Sequence, residues 1–483
     1  MQEEFVDVLI VGAGLSGIGA ACHLRKLCPD RSLAIVEARD RLGGTWDLFR
    51  YPGVRSDSDM HTLGYSFRPW TAPKAIAEGP TILAYLRDTA REHGIDGLIR
   101  YGQRVVRADW STPSARWTVQ LQCDDGSTRR VECTFIFMCC GYYDYAAGYQ
   151  PDFPGRDRYR GRLVHPQAWP EDLDCKGKRV LVIGSGATAV TLVPALAQSA
   201  THVTMLQRSP TWMIARPSID PLGARLRRWL PQRAALWLTR WKNILLGQFL
   251  FFMCRRRPQR MRELLLGGVR HALGPGADVA THFTPRYNPW EQRLCLVPDA
   301  DFFNTVKAGR ASVVTDTIES FTETGVVLKS GARLDADVVV SATGLKLTML
   351  GQAQIVVDGT PVEASRSVNY KGVMATGVPN LVNTFGYTNA SWTLKADLSA
   401  QWVCRLLNHM HKTGARVCVA PPVGADEPLL PWVDFSSGYF ARAAGVLPRQ
   451  GTRKPWKLNQ NYLSDVVALR FAAVDDGVLR FST

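Results

Sequence analysis

The sequence predicts an α/β protein made of two similar units and a helical insertion. Two runs of apolar, strand-forming residues each end in a glycine-rich loop that opens a helix, and a strongly basic segment follows the second loop. A chain of 483 residues can form two or three domains with substantial cores. Its 46% hydrophobic content and 14 Trp exclude an intrinsically disordered protein.

The first loop has the pattern G-x-G-x-x-G at Gly12, Gly14 and Gly17, between the strand-like "FVDVLIV" and a helix-like run. Glycines in this context permit a tight turn and close approach of a pyrophosphate to the helix N-terminus, as in a Rossmann-like domain. The next strand, "LAIVEARD", ends on Glu37. A carboxylate there accepts hydrogen bonds from both ribose hydroxyls and repels a 2′-phosphate, so this unit is predicted to bind FAD.

The second loop lies in "VLVIGSGATAV", with Gly184, Gly186 and Ala189 at the fingerprint positions. Where the first unit has Glu37, the strand "HVTMLQRSP" supplies Arg208 and Ser209. A guanidinium beside a hydroxyl suits recognition of a phosphate, so NADPH is predicted here instead of NADH. The residues predicted to bind this cofactor are Gly184, Ser185, Gly186, Ala187, Thr188, Ala189, Val190, Arg208 and Ser209.

Two further strand-like runs that end in glycine, "TFIFMCCG" and "ADVVVSATG", indicate where the chain crosses between the two units. We therefore predict an FAD-binding domain of residues 1–145 and 346–483. The predicted NADPH-binding domain comprises residues 146–216 and 287–345, and residues 217–286 form the insertion. No other internal repeat is visible in the sequence.

The predicted insertion carries most of the net charge of +15. Residues 222–273 hold 12 Arg or Lys against one acid, together with Trp229, Trp237 and Trp241, and breaks at Pro231 and Pro258 predict three helices. One interpretation is a helical insertion with a solvated basic face. The other is peripheral contact with an anionic membrane, which basic residues and interfacial Trp favour. No base-reading module is present, so a nucleic-acid partner is not expected.

The remaining composition favours a cytoplasmic location, with membrane association left open. Eleven Cys without C-x-x-C spacing indicate reduced thiols, and no metal site is predicted. The N-terminal sequence is acidic where a signal peptide needs positive charge. No apolar run reaches the roughly 18 residues of a membrane span.

Two longer motifs resemble the fingerprints of type I Baeyer–Villiger flavoprotein monooxygenases. Gly43-Gly44-Thr45-Trp46, Tyr51-Pro52-Gly53 and Asp57 follow [AG]GxW-x4-[FY]P[GM]-x3-D. The segment "YRGRLVHPQAWP" follows FxGxxxHxxxWP, with Tyr159 in place of Phe. Both motifs stand in the family's order between the two glycine loops, and the likeness runs nearly end to end.

The resemblance implies an NADPH- and O2-dependent FAD enzyme that acts through a C4a-peroxyflavin. It would insert one oxygen into ketones, giving esters or lactones, and oxidise thioethers to sulfoxides. The alternative is an FMO-type N- or S-oxygenating flavin monooxygenase, although Trp169-Pro170 departs from the ending of the hydroxylase motif. A membrane-surface protein without catalysis is the third reading, and it leaves Glu37, Arg208 and Arg293 unexplained.

Carried over by position, the resemblance assigns the catalytic roles to Arg293 and Asp57. A flavin-bound anion in a water-poor pocket needs a fixed cation, and Arg keeps its proton there. The residues that the resemblance places at the flavin are Ser16, Thr45, Trp46, Asp47, Leu48, Asp57 and Val105, while Arg55, Ser56 and Asp57 lie where the two cofactors meet. Many relatives have Lys directly before the arginine that corresponds to Arg293, where this chain has Gln292. This difference predicts a lower affinity or preference for NADPH. His165 is predicted to have a hinge or packing role.

Overall fold

The computed structural model describes residues 4–483. Residues 1–3, which the predicted FAD domain includes, lie outside it. The strands, numbered in chain order, are β1 (Glu4–Val11), β2 (Leu33–Val36), β3 (Ile99–Arg100), β4 (Gln103–Ser111), β5 (Arg116–Cys123), β6 (Thr128–Met138), β7 (Arg162–Val164), β8 (Arg179–Ile183), β9 (His202–Gln207), β10 (Met213–Arg216), β11 (Cys295–Pro298), β12 (Ala311–Thr315), β13 (Ile318–Phe321), β14 (Gly325–Leu328), β15 (Arg333–Asp335), β16 (Val338–Ser341), β17 (Gln354–Val357), β18 (Thr360–Pro361), β19 (Asn369–Tyr370), β20 (Met374–Ala375), β21 (Leu381–Asn383), β22 (Val417–Val419), β23 (Leu430–Pro431), β24 (Arg449–Gln450) and β25 (Arg480–Ser482).

The helices between the strands include two long ones, one in the basic segment and one near the C-terminus. In chain order the α-helices are α1 (Leu15–Leu27), α2 (Thr45–Leu48), α3 (Met60–Leu63), α4 (Gly79–Glu92), α5 (Ala187–Leu196), α6 (Pro221–Trp229), α7 (Gln232–Arg256), α8 (Pro258–Leu273), α9 (Val279–Phe283), α10 (Asp301–Lys307), α11 (Trp392–Thr413), α12 (Gly438–Arg442) and α13 (Tyr462–Asp465). A π-helical turn spans Val466–Phe471, and short 3-10 turns span Asp96–Leu98, Arg156–Arg158, Pro166–Ala168, Leu350–Gln352 and Ala364–Arg366.

The larger sheet combines a parallel and an antiparallel part in the order β18-β17-β4-β5-β6-β1-β2-β3, with β21 also paired to β6. Strands β6, β1, β2 and β3 run parallel, while β4, β5 and β6 form an antiparallel meander. The apolar β1 is buried on both faces, as expected for a strand with neighbours in the sheet and helices over it. Helices α1 and α11 pack together on one face, and their buried side chains share one core with β1 and β6.

The smaller sheet is wholly parallel and has the order β12-β9-β8-β16-β7. The chain order reverses between β8 and β16, because β9 follows β8 on one side and β16 returns on the other. In open parallel sheets the ligand binds beyond the carboxyl ends of the strands at such a reversal. The predicted Rossmann-like fold is therefore present in both sheets, and each predicted glycine loop follows an interior parallel strand, β1 in the larger sheet and β8 in the smaller one.

The basic segment forms the three predicted helices, α6, α7 and α8. Proline explains both breaks: it lacks an N–H and favours the start of a helix over its interior. Pro231 precedes α7 and Pro258 begins α8. The segment leaves the unit built on the smaller sheet, the smaller unit, after β10 and returns to it at β11. Strands β10 and β11 pair with each other. Within residues 4–483, none of the helices has the length and apolarity to cross a membrane.

The exact ends of the predicted elements differ slightly from the structure, and the domain boundaries stay a prediction. Strand β2 ends at Val36, so Glu37 lies just beyond it instead of on its last position. The strands of the larger sheet lie before residue 139 and after residue 353, and those of the smaller sheet lie between residues 162 and 341. All eleven cysteines are free, as the sequence predicts.

Candidate active site

The first glycine loop fits a dinucleotide because each glycine meets a different steric demand. Gly12 has a φ of +103°, and a Cβ there would lie 2.8 Å from the carbonyl oxygen of Cys139. A Cβ on Gly17 would lie 1.8 Å from the oxygen of Gly12, so this glycine lets α1 pack onto the loop. At Gly14 the nearest atom to such a Cβ is Cα of Gly44, 3.6 Å away. Gly14 thus leaves open space at the N-terminus of α1, where a pyrophosphate is stabilised.

Glu37 lies beside this loop with one carboxylate oxygen bonded to each of two backbone donors. The amide of Ala13 donates to Oε2 at 2.7 Å, and the amide of Arg39 donates to Oε1 at 3.0 Å. The side chain is buried, and burial raises the pKa of Glu37, which the two backbone donors oppose. Glu37 also lines the cavity above the loop. Its remaining lone pairs can accept hydrogen bonds from the ribose of the predicted FAD.

The second loop repeats this geometry at the end of β8. Gly184 has a φ of +127°, and a Cβ there would lie 2.3 Å from the oxygen of Ala342. Around Gly186 no atom lies within 4 Å of the position of a Cβ. Gly186 precedes the first turn of α5, whose N-terminus is therefore open to an anion. The second site accordingly fits the predicted NADPH.

Among Gln207, which ends β9, and the next two residues, only Arg208 presents a charge to the cavity. Gln207 turns inward, where its Nε2 donates to the oxygen of His282 at 2.7 Å. The carbonyl of Ser209 accepts a hydrogen bond of 3.0 Å from Ser185 Oγ, which fixes the loop. Arg208 is exposed, lines the cavity and forms no salt bridge within residues 4–483. This guanidinium is available to a 2′-phosphate.

Arg293 and Asp57 form an ion pair between the two glycine loops, although 236 positions separate them in the chain. Nη2 of Arg293 lies 2.7 Å from Oδ2 of Asp57, and Nε donates to the same oxygen at 2.9 Å. Nη1 donates to the oxygen of Thr388 at 2.6 Å, and the guanidinium lies 5.7 Å from the ring of Trp290. Contacts from three segments of the chain therefore orient the guanidinium of Arg293. Arg293 itself lies just before β11, where the chain returns from the basic insertion.

The surroundings keep Arg293 charged and the neighbouring phenols neutral. Burial lowers the pKa of Arg293, but the Asp57 carboxylate raises it and the net shift is upward. Burial raises the pKa of Tyr142, Tyr143 and Tyr439 above the ordinary value for a phenol. Around Arg293, the site therefore places a permanent positive charge next to neutral hydroxyl groups.

One cavity of about 710 Å³ connects both loops and the ion pair. A volume of this size falls in the range of ligand and cofactor sites. The predicted residues that line it are Gly12, Gly14, Ser16, Glu37, Thr45, Trp46, Arg55, Ser56, Asp57, Val105, Gly184, Ser185, Gly186, Ala187, Thr188, Arg208 and Arg293. Gln292 lines it as well.

The other predicted residues do not line this cavity. Asp47 is 2% exposed, contacts Arg39 Nη2 at 2.7 Å and borders a separate cavity. Leu48 follows Asp47 in α2, and Gly17 packs on Gly12. Ser209 accepts a hydrogen bond from Ser185 through its carbonyl oxygen. Ala189 and Val190 are buried in the core under the smaller sheet, because their side chains extend from α5 toward the strands.

Arg55 and Ser56 make contacts that the sequence did not show. The guanidinium of Arg55 forms a salt bridge with Asp301 at the start of α10. Ser56 Oγ donates to the oxygen of Ser58 at 2.6 Å. Both residues thereby fix the loop that carries Asp57. His165 also has a structural setting: its ring contacts the oxygen of Gly344 at 3.1 Å, and Nδ1 accepts from the amide of Gln167.

Sequence reasoning missed an aromatic wall and a second cation. Tyr142 stacks on Trp392 with 5.2 Å between ring centroids, and its hydroxyl lies 3.1 Å from that of Tyr143. Arg442 in α12 lies 3.5 Å above the ring of Tyr149 and lines the cavity. The tyrosine-rich "GYYDYAAGY" was a visible signal, since it begins at the glycine that ends "TFIFMCCG", where the sequence predicts a crossing between the two units. No signal in the sequence pointed to Arg442, because the position of this residue depends on how the C-terminal segment folds back onto the cavity.

Comparison with known proteins identifies the family of this chain. A sequence model of the flavin-binding monooxygenase-like family matches residues 65–262, and one of NAD(P)-binding Rossmann-like domains matches residues 10–72. The chain is 52% identical over 480 residues to the FAD-containing monooxygenase EthA of Mycobacterium tuberculosis, covering 99% of this chain and 98% of that protein. The chain belongs to the family of FAD-containing monooxygenases. It is 48% identical to the probable FAD-binding monooxygenase AlmA of Acinetobacter baylyi, over 99% of this chain and 97% of that protein.

Solved structures give the same fold. An oxidised steroid monooxygenase bound to NADP superposes with a TM-score of 0.77 at 25% identity, covering 99% of each chain. An open crystal structure of cyclohexanone monooxygenase has a TM-score of 0.74 at 19% identity, covering 99% of this chain and 100% of that one. The predicted membership of the flavoprotein monooxygenases, the predicted FAD and the predicted Rossmann-like fold are confirmed, and the NADP-bound relative agrees with the predicted nicotinamide cofactor.

The two open glycines generate a matched pair of predictions. Gly14→Ala adds a methyl group that the protein itself accommodates but that meets the FAD pyrophosphate, so the purified variant should be folded and colourless. Gly186→Ala should keep its flavin and show a raised KM for NADPH. Flavin absorbance, circular dichroism and initial rates measure these effects. A flavin-loaded Gly14→Ala protein would place FAD elsewhere.

Arg208→Ala should raise the KM for NADPH by about 10–100-fold, because hydrogen bonds to charged groups contribute about 1.5–3 kcal/mol. The KM for NADH should change little, since NADH has no 2′-phosphate. Arg333→Ala, which removes an exposed arginine of the smaller unit outside the cavity, is the matched control. An equal loss with both cofactors would assign Arg208 a role in folding instead.

Proposed function

We propose that this enzyme is an NADPH- and O2-dependent Baeyer–Villiger monooxygenase that also oxidises thioethers. A ketone, O2, NADPH and a proton would give an ester or lactone, water and NADP⁺; a thioether would give a sulfoxide by the same balance. FAD, when bound, supplies the hydride acceptance and the oxygen activation. The Arg293–Asp57 ion pair between the two cofactor loops is the observation on which the proposal rests.

The role of Arg293 follows from its fixed charge. Oxygen insertion passes through states in which negative charge develops on oxygen atoms, and a preorganised cation stabilises such charge without reorganising during the reaction. Contacts with Asp57 and Thr388 hold the guanidinium in one orientation. Asp57 is thus a positioning residue, which acts through Arg293, and Arg293 is the catalytic residue.

The aromatic wall supports a site for apolar substrates. Tyr142, Phe385, Trp392 and Phe440 form a set of ring contacts with centroid distances between 5.2 and 6.3 Å. Tyr142 and Trp392 line the cavity, and Phe385 and Phe440 are buried in the cluster beside them. Apolar walls of this kind would lower the local polarity, which strengthens the interaction of a cation with a developing anion. A ketone or thioether with apolar substituents fits such surroundings.

Arg442 supports a second contact with the nicotinamide cofactor. Its Nη2 lies 3.6 Å from the position of a Cβ on Gly344, which follows β16, the neighbour of β8 at the chain reversal. A dinucleotide that crosses this reversal places its adenine half toward β9 and its nicotinamide half toward β16. We infer that Arg442 contacts the nicotinamide-side phosphate or ribose, whereas Arg208 contacts the adenine-side 2′-phosphate.

The FMO-type alternative has one supporting observation, the match to the flavin-binding monooxygenase-like family over residues 65–262. Both functions allow oxidation of thioethers, so ketones and amines separate them. NADPH-dependent conversion of ketones to esters supports the Baeyer–Villiger activity. Oxidation of amines and thioethers with no ketone conversion would support the alternative. Product identification is needed, because uncoupled enzyme also consumes NADPH.

Arg293→Ala should abolish oxygenated product while leaving both cofactors bound, because neither glycine loop changes. Slow NADPH oxidation should continue and yield hydrogen peroxide, and loss of one such donor typically costs about 10²–10³ in rate. Asp57→Ala should show the same defect in milder form. The double variant should resemble Arg293→Ala alone, since both act through one guanidinium. Product formed per NADPH consumed is the measurement.

Near wild-type conversion of a ketone by Arg293→Ala would contradict the proposed role. The matched control is Arg333→Ala, which removes the same charge outside the cavity and should keep the product-to-NADPH ratio. Additive losses in the double variant would show that Asp57 acts independently of Arg293.

Arg442→Ala should raise the KM for NADPH and NADH by similar factors, because both cofactors share the nicotinamide-side phosphate. This result would distinguish Arg442 from Arg208, whose loss should affect NADPH alone. Initial rates with each cofactor, at saturating ketone, measure both constants. A KM change confined to NADPH would place Arg442 at the 2′-phosphate and overturn the inferred orientation.

A further inference from the structure

The longest helix of the basic segment turns its apolar side outward. On α7, Leu238, Leu245, Phe249 and Phe252 are 37, 50, 59 and 52% exposed. Their spacing of 7, 4 and 3 residues places them on one side of an α-helix. A surface helix of a globular protein normally presents its polar side to water. We call these four side chains the α7 ridge.

The opposite side of α7 is fixed to the larger unit, so the ridge cannot fold inward. Arg240 donates to the oxygens of His61 and Gly64 at 2.9 and 2.7 Å. Asn243 Nδ2 donates to Oδ1 of Asp59 at 3.0 Å. Ala235 and Leu236 are buried against the protein. The ridge is therefore presented by a helix that specific polar contacts hold in place.

Further exposed aromatic and aliphatic side chains extend the apolar area. Trp237 is 60% exposed, and its ring lies 6.2 Å from that of Trp241, which lies 6.2 Å from that of Tyr462. The π-helical turn after α13 exposes Val467 and Phe471 by 60 and 70%. Trp229, at the end of α6, is 84% exposed. Large exposed apolar areas on soluble proteins mark interaction sites.

Cations without acidic partners flank the ridge at both ends. They are exposed, and within residues 4–483 none forms a salt bridge; they are Arg225, Arg228 and Arg233 on one side and Arg256, Arg257 and Arg260 on the other. Other basic residues of the segment are already engaged: Lys242 pairs with Asp220 and Arg255 with Asp434. Arginines without a salt bridge thus precede and follow the ridge along the chain, and Arg256 lies 5.2 Å from the ring of Phe252 in the ridge.

This combination selects among possible occupants. In a symmetric dimer through the ridge, the same arginines of two copies would meet and repel each other. An anionic bilayer offers both acyl chains for the ridge and negative headgroups for the arginines, and Trp residues prefer the boundary between them. We propose that the α7 ridge and its flanking arginines dock this enzyme on the surface of an anionic lipid bilayer.

The test uses the FAD-loaded full-length enzyme and two kinds of vesicle, pure phosphatidylcholine and equal parts of phosphatidylcholine and phosphatidylglycerol. The enzyme should co-sediment with the anionic vesicles and release as NaCl rises, since salt screens the arginines. Trp fluorescence should shift to shorter wavelength on binding. Absence of co-sedimentation with anionic vesicles at low salt overturns the proposal.

Variants distinguish binding through the α7 ridge and its flanking arginines from binding through the net positive charge of the protein. Phe249→Gln with Phe252→Gln should abolish the fluorescence shift and most co-sedimentation while NADPH oxidation in solution is retained. The triple variant Arg256→Gln, Arg257→Gln, Arg260→Gln should lose roughly five-fold in partition coefficient per arginine, as expected for about 1 kcal/mol each. The matched control is Arg129→Gln, Arg130→Gln, Arg333→Gln, which makes the same change in net charge on exposed positions elsewhere.

Equal losses in the two triple variants would assign binding to net charge and overturn the docking surface. Size-exclusion chromatography with light scattering gives the remaining outcome. A lipid-free dimer that Phe249→Gln with Phe252→Gln converts to monomer would identify a second copy as the occupant and likewise overturn the proposal.

Discussion

The ion pair of Arg293 with Asp57 ties together the parts of the chain that form the site. Asp57 lies in the segment between α2 and α3. Arg293 precedes β11, which pairs with β10 on the other side of the basic segment. Burial opposes a charged group, yet the Asp57 carboxylate raises the pKa of Arg293 above its ordinary value. Arg293 is therefore a permanent cation, held by a carboxylate, in the cavity that both glycine loops line. The proposed chemistry needs that charge at that junction, toward which each loop would direct its cofactor.

The basic segment has two distinct relations to this site. Its return strand places Arg293, and Arg240 holds α7 against α3 through the carbonyl oxygens of His61 and Gly64. The outward side of the same helix carries the α7 ridge. The segment thus contributes to the geometry of the cavity on one side and offers an exposed apolar surface on the other. The proposed catalytic and docking roles can therefore be tested separately by mutation.

Local rules explain how much the sequence could predict. Glycine loops, Glu37, Arg208 and the proline breaks depend on short-range geometry, and the structure places each near its predicted position. Asp47 and Val190 show the limit: both lie within predicted motifs, yet packing turns their side chains away from the cavity. Arg442 shows it more strongly, because its contact with Tyr149 depends on the return of the C-terminal segment. The sequence likewise could not predict that the α7 ridge is exposed, because the helical spacing of apolar residues does not say which side of the helix faces solvent.

The most direct test of the account is a crystal structure of the enzyme with FAD and NADP⁺ bound. We predict FAD at the Gly12–Gly17 loop, NADP⁺ at the Gly184–Ala189 loop, and the guanidinium of Arg293 between the flavin and nicotinamide rings while still paired with Asp57. A structure in which both rings bind but lie beyond hydrogen-bonding reach of Arg293 would contradict the central claim.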